Sequence, residues 1–189
     1  ALRDGGGSLS ALLPASSADD QFETYFYNAR GQLTGTIDAM GYITRNGYST
    51  RGQMVNQTRY STAVGRAVNW TEDLDTVITE IRAGGPLARE SEDRYTVWRY
   101  ALDGQLLDST NFEGIKTSYA YDGAGRLIKT TVGDGRADAR VTQYRLDAWG
   151  QKTAVLGGAG SAKITDGMTQ SQINAVWASD AVDYTYDDA

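Results

Sequence analysis

The side chains that could do chemistry in this chain are few in kind. It contains no Cys and no His. That excludes Ser-His-Asp and Cys-His nucleophilic catalysis, His-ligated metals, zinc fingers and structural disulfides. Acid–base work falls to carboxylates, grouped at Glu72-Asp73-Asp75, Glu90-Glu92-Asp93, Asp134-Asp138 and Asp187-Asp188. A glycosidase needs two carboxyls held roughly 5–10 Å apart across a sugar-binding cleft, and no spacing here enforces that geometry. The first group also has a complete explanation at the start of a helix. Asp134-Gly135-Arg136-Ala137-Asp138 offers oxygen donors to calcium but lacks the alternate ligands and closing Glu of an EF-hand loop. It reads as solvated turn carboxylates. Gly157-Gly158-Ala159-Gly160-Ser161 has no Gly-Lys-Ser/Thr after it and reads as a linker loop, not a phosphate cradle.

Aromatic residues supply the other candidate chemistry. Tyr and Trp rings stack on apolar sugar faces while Asp, Asn and Arg hold hydroxyls. Trp98, Trp149, Tyr119 and Tyr121 are the candidates for carbohydrate binding, with Trp70 and Trp177 as further tryptophans. Trp149 takes an ordinary turn position just before a glycine, where exposure is expected. Packing between neighbouring elements is the competing role for each ring. The 14 Arg and 4 Lys stand against 24 Asp and Glu, a formal charge of −6 and a pI near 4.7. That balance argues against nucleic acid or an anionic membrane as the main partner. The arginines are spread along the chain and are expected to pair with nearby carboxylates. No stretch approaches the roughly 18 apolar residues of a membrane span, and no cofactor or metal is implied.

Stepping outward to the elements that carry these groups, 189 residues allow one domain or two small ones. Gly at 22, Tyr at 12 and Pro at only 2 point to many short strands joined by turns. The strands repeat. Tyr25-Phe26-Tyr27-Asn28-Ala29-Arg30-Gly31-Gln32-Leu33 and Tyr119-Ala120-Tyr121-Asp122-Gly123-Ala124-Gly125-Arg126-Leu127 share one pattern. Weaker copies lie at Gly47 to Met54 around Tyr48 and Gly52, at Trp98 to Leu106 around Tyr100 and Gly104, and at Tyr144 to Lys152 around Asp147 and Gly150. Tyr184-Thr185-Tyr186-Asp187 opens another. Two of the gaps between motif glycines are 21 residues. Each copy reads as a β-hairpin: alternate aromatics share one strand face, Asp or Asn bonds to nearby backbone, Gly supplies positive φ, and Leu or Met begins the return strand. Second turns are expected at Asp38 to Tyr42 and Asn111 to Ile115. A single hairpin cannot bury its aromatic face, so neighbouring units must stack.

Two segments have helical spacing. From Thr71 to Gly84, Leu74, Val77, Ile78 and Ile81 fall on one face, with Thr71 as the expected cap and Gly84-Gly85-Pro86 as the stop. From Thr169 to Ala181, a Thr169–Gln172 capping box precedes Ile173, Val176 and Trp177. Both are expected to cover a sheet edge or face. Residues 1–21, with Gly5-Gly6-Gly7, read as an irregular arm, and 22–189 as the repeat region.

The segment Tyr121-Asp122-Gly123-Ala124-Gly125-Arg126-Leu127 resembles the YD repeat of Rhs proteins, large bacterial secreted or surface proteins related to toxin-complex C components and teneurins. The resemblance covers about 22–189, outside the helical insertions. It implies a mainly β fold, with repeated hairpins winding into a curved or spiral antiparallel sheet. In many members that sheet encloses a C-terminal toxin. The motif residues are then Tyr27, Gly31, Tyr48, Gly52, Tyr100, Gly104, Tyr121, Asp122, Gly125, Arg126, Asp147, Gly150, Tyr186 and Asp187. The copies at Tyr48, Tyr100 and Leu146 lack the Tyr-Asp pair, and the Asp-Pro-containing core motif at which many members cleave themselves is missing. The expected function is a non-catalytic segment of a β-sheet shell in a secreted or surface bacterial protein, partnered by the rest of its own parent chain. Its ends read as cuts through a longer polypeptide. The alternatives are a carbohydrate- or receptor-binding module, and a carboxylate-only glycosidase or lyase.

Overall fold

The computed structural model describes residues 23–68, 71–83 and 92–187. The arm over 1–21, Trp70, the Gly84-Gly85-Pro86 stop, Glu90 and Asp188 lie outside the described residues. Among the described residues, eleven strands form one antiparallel sheet in strict chain order. They are β1 (Thr24–Tyr27), β2 (Leu33–Ile37), β3 (Tyr42–Tyr48), β4 (Met54–Ala63), β5 (Arg94–Tyr100), β6 (Leu106–Thr110), β7 (Lys116–Tyr121), β8 (Leu127–Val132), β9 (Arg140–Leu146), β10 (Lys152–Leu156) and β11 (Ala181–Asp183). The described helices are α1 (Leu74–Ala83), the single turn α2 (Gly158–Ser161) and α3 (Gln170–Asp180).

The sequence explains this order. Every motif turn is too short to do anything but return the chain beside itself, so consecutive strands pair and no crossover arises. The register in each motif hairpin breaks next to the turn. Tyr27 pairs with Leu33 but Phe26 with Gly35, and the same one-residue step follows Met54, Leu106, Leu127 and Lys152. Each hairpin therefore carries a bulge at the first residue of its return strand.

Directly paired residues share a sheet face. Tracing the register from Gly35 through Arg45, Thr58 and Tyr95 to Arg99 and Asp108, and on through Ser118, Thr131 and Val141 to Gln143 and Leu156, defines one face. Both helical insertions lie on it. α1 seats Leu74, Val77 and Ile78 on Ile37, Ile43 and Tyr60, with Phe26, Val64, Val68 and Ile81 at the margin. α3 seats Trp177 on Ala154 and Leu156, with Ile164, Ile173 and Val176 around it. The motif tyrosines and their partner leucines occupy the opposite face.

Two local expectations change. Asp73, not Thr71, caps α1: its carboxylate accepts from the N–H groups of Asp75 and Thr76 at 3.0 and 3.3 Å. Glu72 instead meets Arg66, which also binds Glu80. The Gly157–Ser161 stretch is not a plain linker; Gly158–Ser161 forms α2, where Gly160 passes so close to Leu156 that a Cβ there would collide with the leucine Cδ1. In α3 the Thr169–Gln172 capping box is present with both of its bonds.

Gly35 marks where α1 meets the sheet: a Cβ built there would collide with Leu74 Cδ2 and lie 3.1 Å from the Thr44 carbonyl. Gly35→Val is expected to destabilise the protein by about 1–3 kcal/mol through overpacking, and Leu74→Ala by about 2–5 kcal/mol through a cavity. The two changes occupy the same space with opposite sign. The double variant should therefore lose less stability in urea unfolding than the sum of the singles; strict additivity would show that the helix does not rest on Gly35.

Candidate functional site: stacked turns and the tyrosine row

Five motif turns line one end of the sheet and share one construction. In the fourth, Asp122 N–H donates to the Arg126 carbonyl and Gly125 N–H to the Asp122 carbonyl, both at 2.9 Å. Gly125 sits at φ +79°, a region costly for residues with a Cβ. The Asp122 carboxylate accepts from the N–H groups of Ala124 and Arg126 at 3.0 and 2.9 Å. Asn28 and Asp147 make the same pair of bonds in the first and fifth turns. The copies without a Tyr-Asp pair close identically, through backbone bonds from Ser49 to Gln53 and from Ala101 to Gln105. There the missing carboxylate is replaced by Ser49 Oγ or by Asp103, each accepting the last N–H of its turn. The second turns at Asp38 and Asn111 repeat the design at the other end.

The turns are also tied to one another. Arg30 donates to the Thr50 carbonyl at 3.0 Å, and Arg51 to that of Leu102. Gln32 Nε2 reaches the Gly52 carbonyl at 3.1 Å, and Gln53 Nε2 that of Gly104 at 3.3 Å. The ladder continues with the Gln105 amide over Gly125, where an added Cβ would lie 2.9 Å from Nε2, and with Arg126 donating to the Asp147 carbonyl at 2.7 Å. Thus the residues on both sides of Gly31 and Gly52, and the residue after Gly125, hold the next turn. Arg30 and Arg51 bind backbone rather than the carboxylates expected of them. Other arginines do pair: Arg45 with Asp75, Arg59 with Asp38, Arg99 with Asp108 and Arg126 with Asp122.

A second ladder uses the tyrosines. Tyr48 donates its hydroxyl to the Leu33 carbonyl at 2.9 Å, Tyr121 to Leu106 at 3.0 Å and Tyr186 to Lys152 at 3.0 Å. Leu33, Leu106 and Lys152 each open the return strand of the preceding hairpin. Buried Asn46 adds a bond to the Leu33 carbonyl and accepts from Gln57. The bulge explains the acceptor, since it leaves a carbonyl at the irregular step for a side chain to satisfy. Tyr48, Tyr100 and Tyr121 are half-buried, while Tyr27 is 62% and Tyr186 50% exposed. Burial thus depends on having a neighbouring hairpin on both sides.

The aromatic candidates for sugar binding are not presented as one platform. Trp98, Tyr119 and Tyr121 are half-buried on the tyrosine face, and Trp149 stands in its turn at 86% exposure. Trp177 is buried, with the Arg145 guanidinium 4.4 Å from its ring centre. Asp108, Asp122 and Asp134 have cation partners. Arg99 binds Asp108, and this hydrogen bond holds the Asp108 carboxyl below its ordinary value against the opposing effect of burial. Lys116 does the same for Asp134 at 2.8 Å. For Asp122 the backbone N–H of Arg126 is the main cause of the lowering, with the Arg126 guanidinium adding to it. No group of three or more metal-ligating side chains occurs among the described residues. A cavity of about 270 Å³ is lined by Tyr42, Arg59, Tyr60, Ser61, Glu92 and Arg94, so among the described residues one carboxylate, that of Glu92, reaches its wall.

Residues 100–137, holding the Tyr100 hairpin and the Tyr121–Leu127 motif, match the family model described as RHS Repeat. Over that stretch the chain is similar to the Rhs/YD-repeat family. Among curated proteins the chain is similar to "Double-stranded DNA deaminase toxin A" of Burkholderia cenocepacia (strain H111), 25% identical over 139 residues, 70% of this chain and 9% of that protein. Its sheet is similar to that in the crystal structure of TcdB2-TccC3-Cdc42, with TM-score 0.51 at 20% identity over 75% of this chain and 7% of that one. The Photorhabdus luminescens Tc holotoxin pore gives TM-score 0.52 at 21% identity, covering 76% and 7%. These structures share the fold, and the chain spans less than a tenth of each of these relatives.

Sequence reading found the turns, their Asx caps and their glycines. It missed both ladders and the bulges. The only advance sign of the turn ladder was Gln after the glycine in four copies, at 32, 53, 105 and 151.

Removing the Tyr121 hydroxyl with Tyr121→Phe is expected to cost about 1 kcal/mol in urea unfolding, the worth of one part-buried hydrogen bond. Tyr27→Phe, at an exposed ring, should change nothing measurable. Equal effects would show that the tyrosine bond contributes no stability. The acidic limb of stability follows from the carboxylates. Because folding lowers the Asp108, Asp122 and Asp134 values, their stabilisation is complete above the unfolded value of about 3.9 and is lost as pH falls through the folded values. Thermal midpoints should therefore drop below about pH 4. Asp122→Asn, which keeps an Asx cap like that of Asn28, should flatten part of this drop; an unchanged slope would remove Asp122 from the cause.

Proposed function

We propose that this segment is a structural wall element: a run of YD repeats that extends a β-sheet in a larger, toxin-related protein and performs no reaction itself. The observation that carries this reading is the pair of ladders. Side chains beside the motif glycines and on the motif tyrosines spend their hydrogen bonds on the adjoining hairpin, which is what an element needs when its task is to hold its neighbour. The exposure of Tyr27 and Tyr186, in the outermost motif copies, agrees with further repeats on either side. So does the small share of its relatives that the chain spans. A secreted or cell-surface location in a bacterium, and an enclosed toxin as cargo, follow from the same family reading. No described helix is long and apolar enough to cross a membrane.

Carbohydrate or receptor binding is favoured by one observation, the exposed Trp149 ring. The half-burial of Trp98, Tyr119 and Tyr121, and the engagement of the Tyr121 hydroxyl with backbone, favour the wall. A carboxylate-only enzyme is less well supported, since Asp108, Asp122 and Asp134 each have a cation partner.

Denaturing mass spectrometry of the intact source polypeptide is expected to return a mass far above 20.5 kDa. A mass of 20.5 kDa would overturn the wall reading and move binding ahead of it.

A further inference from the structure

The turn ladder runs in one direction along the chain. Arg30 and Gln32 hold the turn at Ser49, Arg51 and Gln53 hold the turn at Ala101, Gln105 lies over Gly125, and Arg126 holds the turn at Asp147. In the last complete turn the corresponding positions, on either side of Gly150, are Trp149 and Gln151. Both are exposed, Trp149 at 86%, and neither side chain has a hydrogen-bond partner among the described residues. The strand beside them is already set in place for a continuation. Tyr184 N–H donates to the Thr153 carbonyl at 2.9 Å, and Tyr186 makes the tyrosine-ladder bond to Lys152. Asp187 follows Tyr186 just as Asp122 follows Tyr121.

From this we infer that Trp149 and Gln151 form the contact surface for one further turn of the same kind, opened by Asp187, with the Trp149 indole taking the place that Arg30 and Arg51 take over their neighbours. The chemistry suits the position. The Arg side chains donate to the carbonyl two residues before the next glycine, and an indole N–H is a donor of the same sense. Its ring also covers apolar turn backbone that a short side chain leaves wet. The occupant is a backbone turn rather than a sugar, because the equivalent hydrogen bonds from Arg30, Gln32, Arg51, Gln53 and Arg126 are made to carbonyl oxygens of a turn. This inference rests on the wall reading and assigns Trp149 a role within it.

The test extends the full chain past Ala189 with a glycine and a return strand copied from residues 126–132, so that Tyr184 to the new strand mirrors Tyr119 to Val132. Thermal midpoints are measured for the parent and for Trp149→Ala, each with and without the extension. The extension is expected to raise the midpoint by about 3 °C or more in the parent, by less than half of that in Trp149→Ala, and to shift the Trp149 emission, isolated by difference from Trp149→Phe, to the blue. An equal rise in both backgrounds would overturn the role of Trp149 while leaving the wall reading in place. No rise in either would overturn the wall reading itself. A concentration-dependent blue shift in the unextended chain would show that a second copy of the protein, not a following turn, is the occupant.

Discussion

The structure depends on one closed loop of backbone: a five-residue turn in which an Asx or similar side chain takes two N–H groups and a glycine at positive φ lets the chain reverse. With that turn in place the strands return beside themselves, the bulge follows at the next residue, and a carbonyl is left for a tyrosine. Remove the glycine's freedom and the two ladders lose their footing as well, since Gly52 and Gly104 offer the carbonyls that the preceding glutamines bind. The Asx cap is the more replaceable half of the device. Ser49 and Asp103 serve in its stead, because the turn needs only an oxygen near its last N–H groups.

Stability in such an array is a matter of neighbours. A two-stranded hairpin is marginal in water, and a stack gains chiefly from contacts between adjacent units. Both ladders are contacts of that kind. The burial of the tyrosines follows the same logic, half-buried at Tyr48, Tyr100 and Tyr121 and open at Tyr27 and Tyr186. The helices add a different term. α1 and α3 cover two separate patches of the other face with compact apolar clusters. Between them the face is polar, carrying Arg99 with Asp108 and, at its margin, Lys116 with Asp134.

This division assigns the chemistry-bearing residues mainly to assembly. Several carboxylates are turn caps, helix caps or ion-pair partners: Asp122 and Asp147 in turns, Asp73 on α1, Asp108 against Arg99. Arginines that looked like partners for acids divide between that work and the turn carbonyls. The aromatic rings divide likewise, Trp177 into a core and the motif tyrosines into a hydrogen-bonded row.

By itself the sequence determined the hairpins, because glycine, Asx and alternating aromatics act within a few residues of one another and their effect is local. Ser49–Gln53 and Ala101–Gln105 close as readily as Asp122–Arg126 for that reason, and the capping box at Thr169 is equally local. Only the tertiary structure decided which face the helices cover, that Gly35 makes room for Leu74, and that Gln32, Arg51 and Tyr121 bind the neighbouring hairpin. Those outcomes join residues such as Arg51 and Leu102, far apart in the chain because α1 and its flanking residues come between. Whether a long polar side chain turns to solvent or to a neighbour's carbonyl is set by what the completed sheet brings within its reach, and no spacing in the sequence carries that distance.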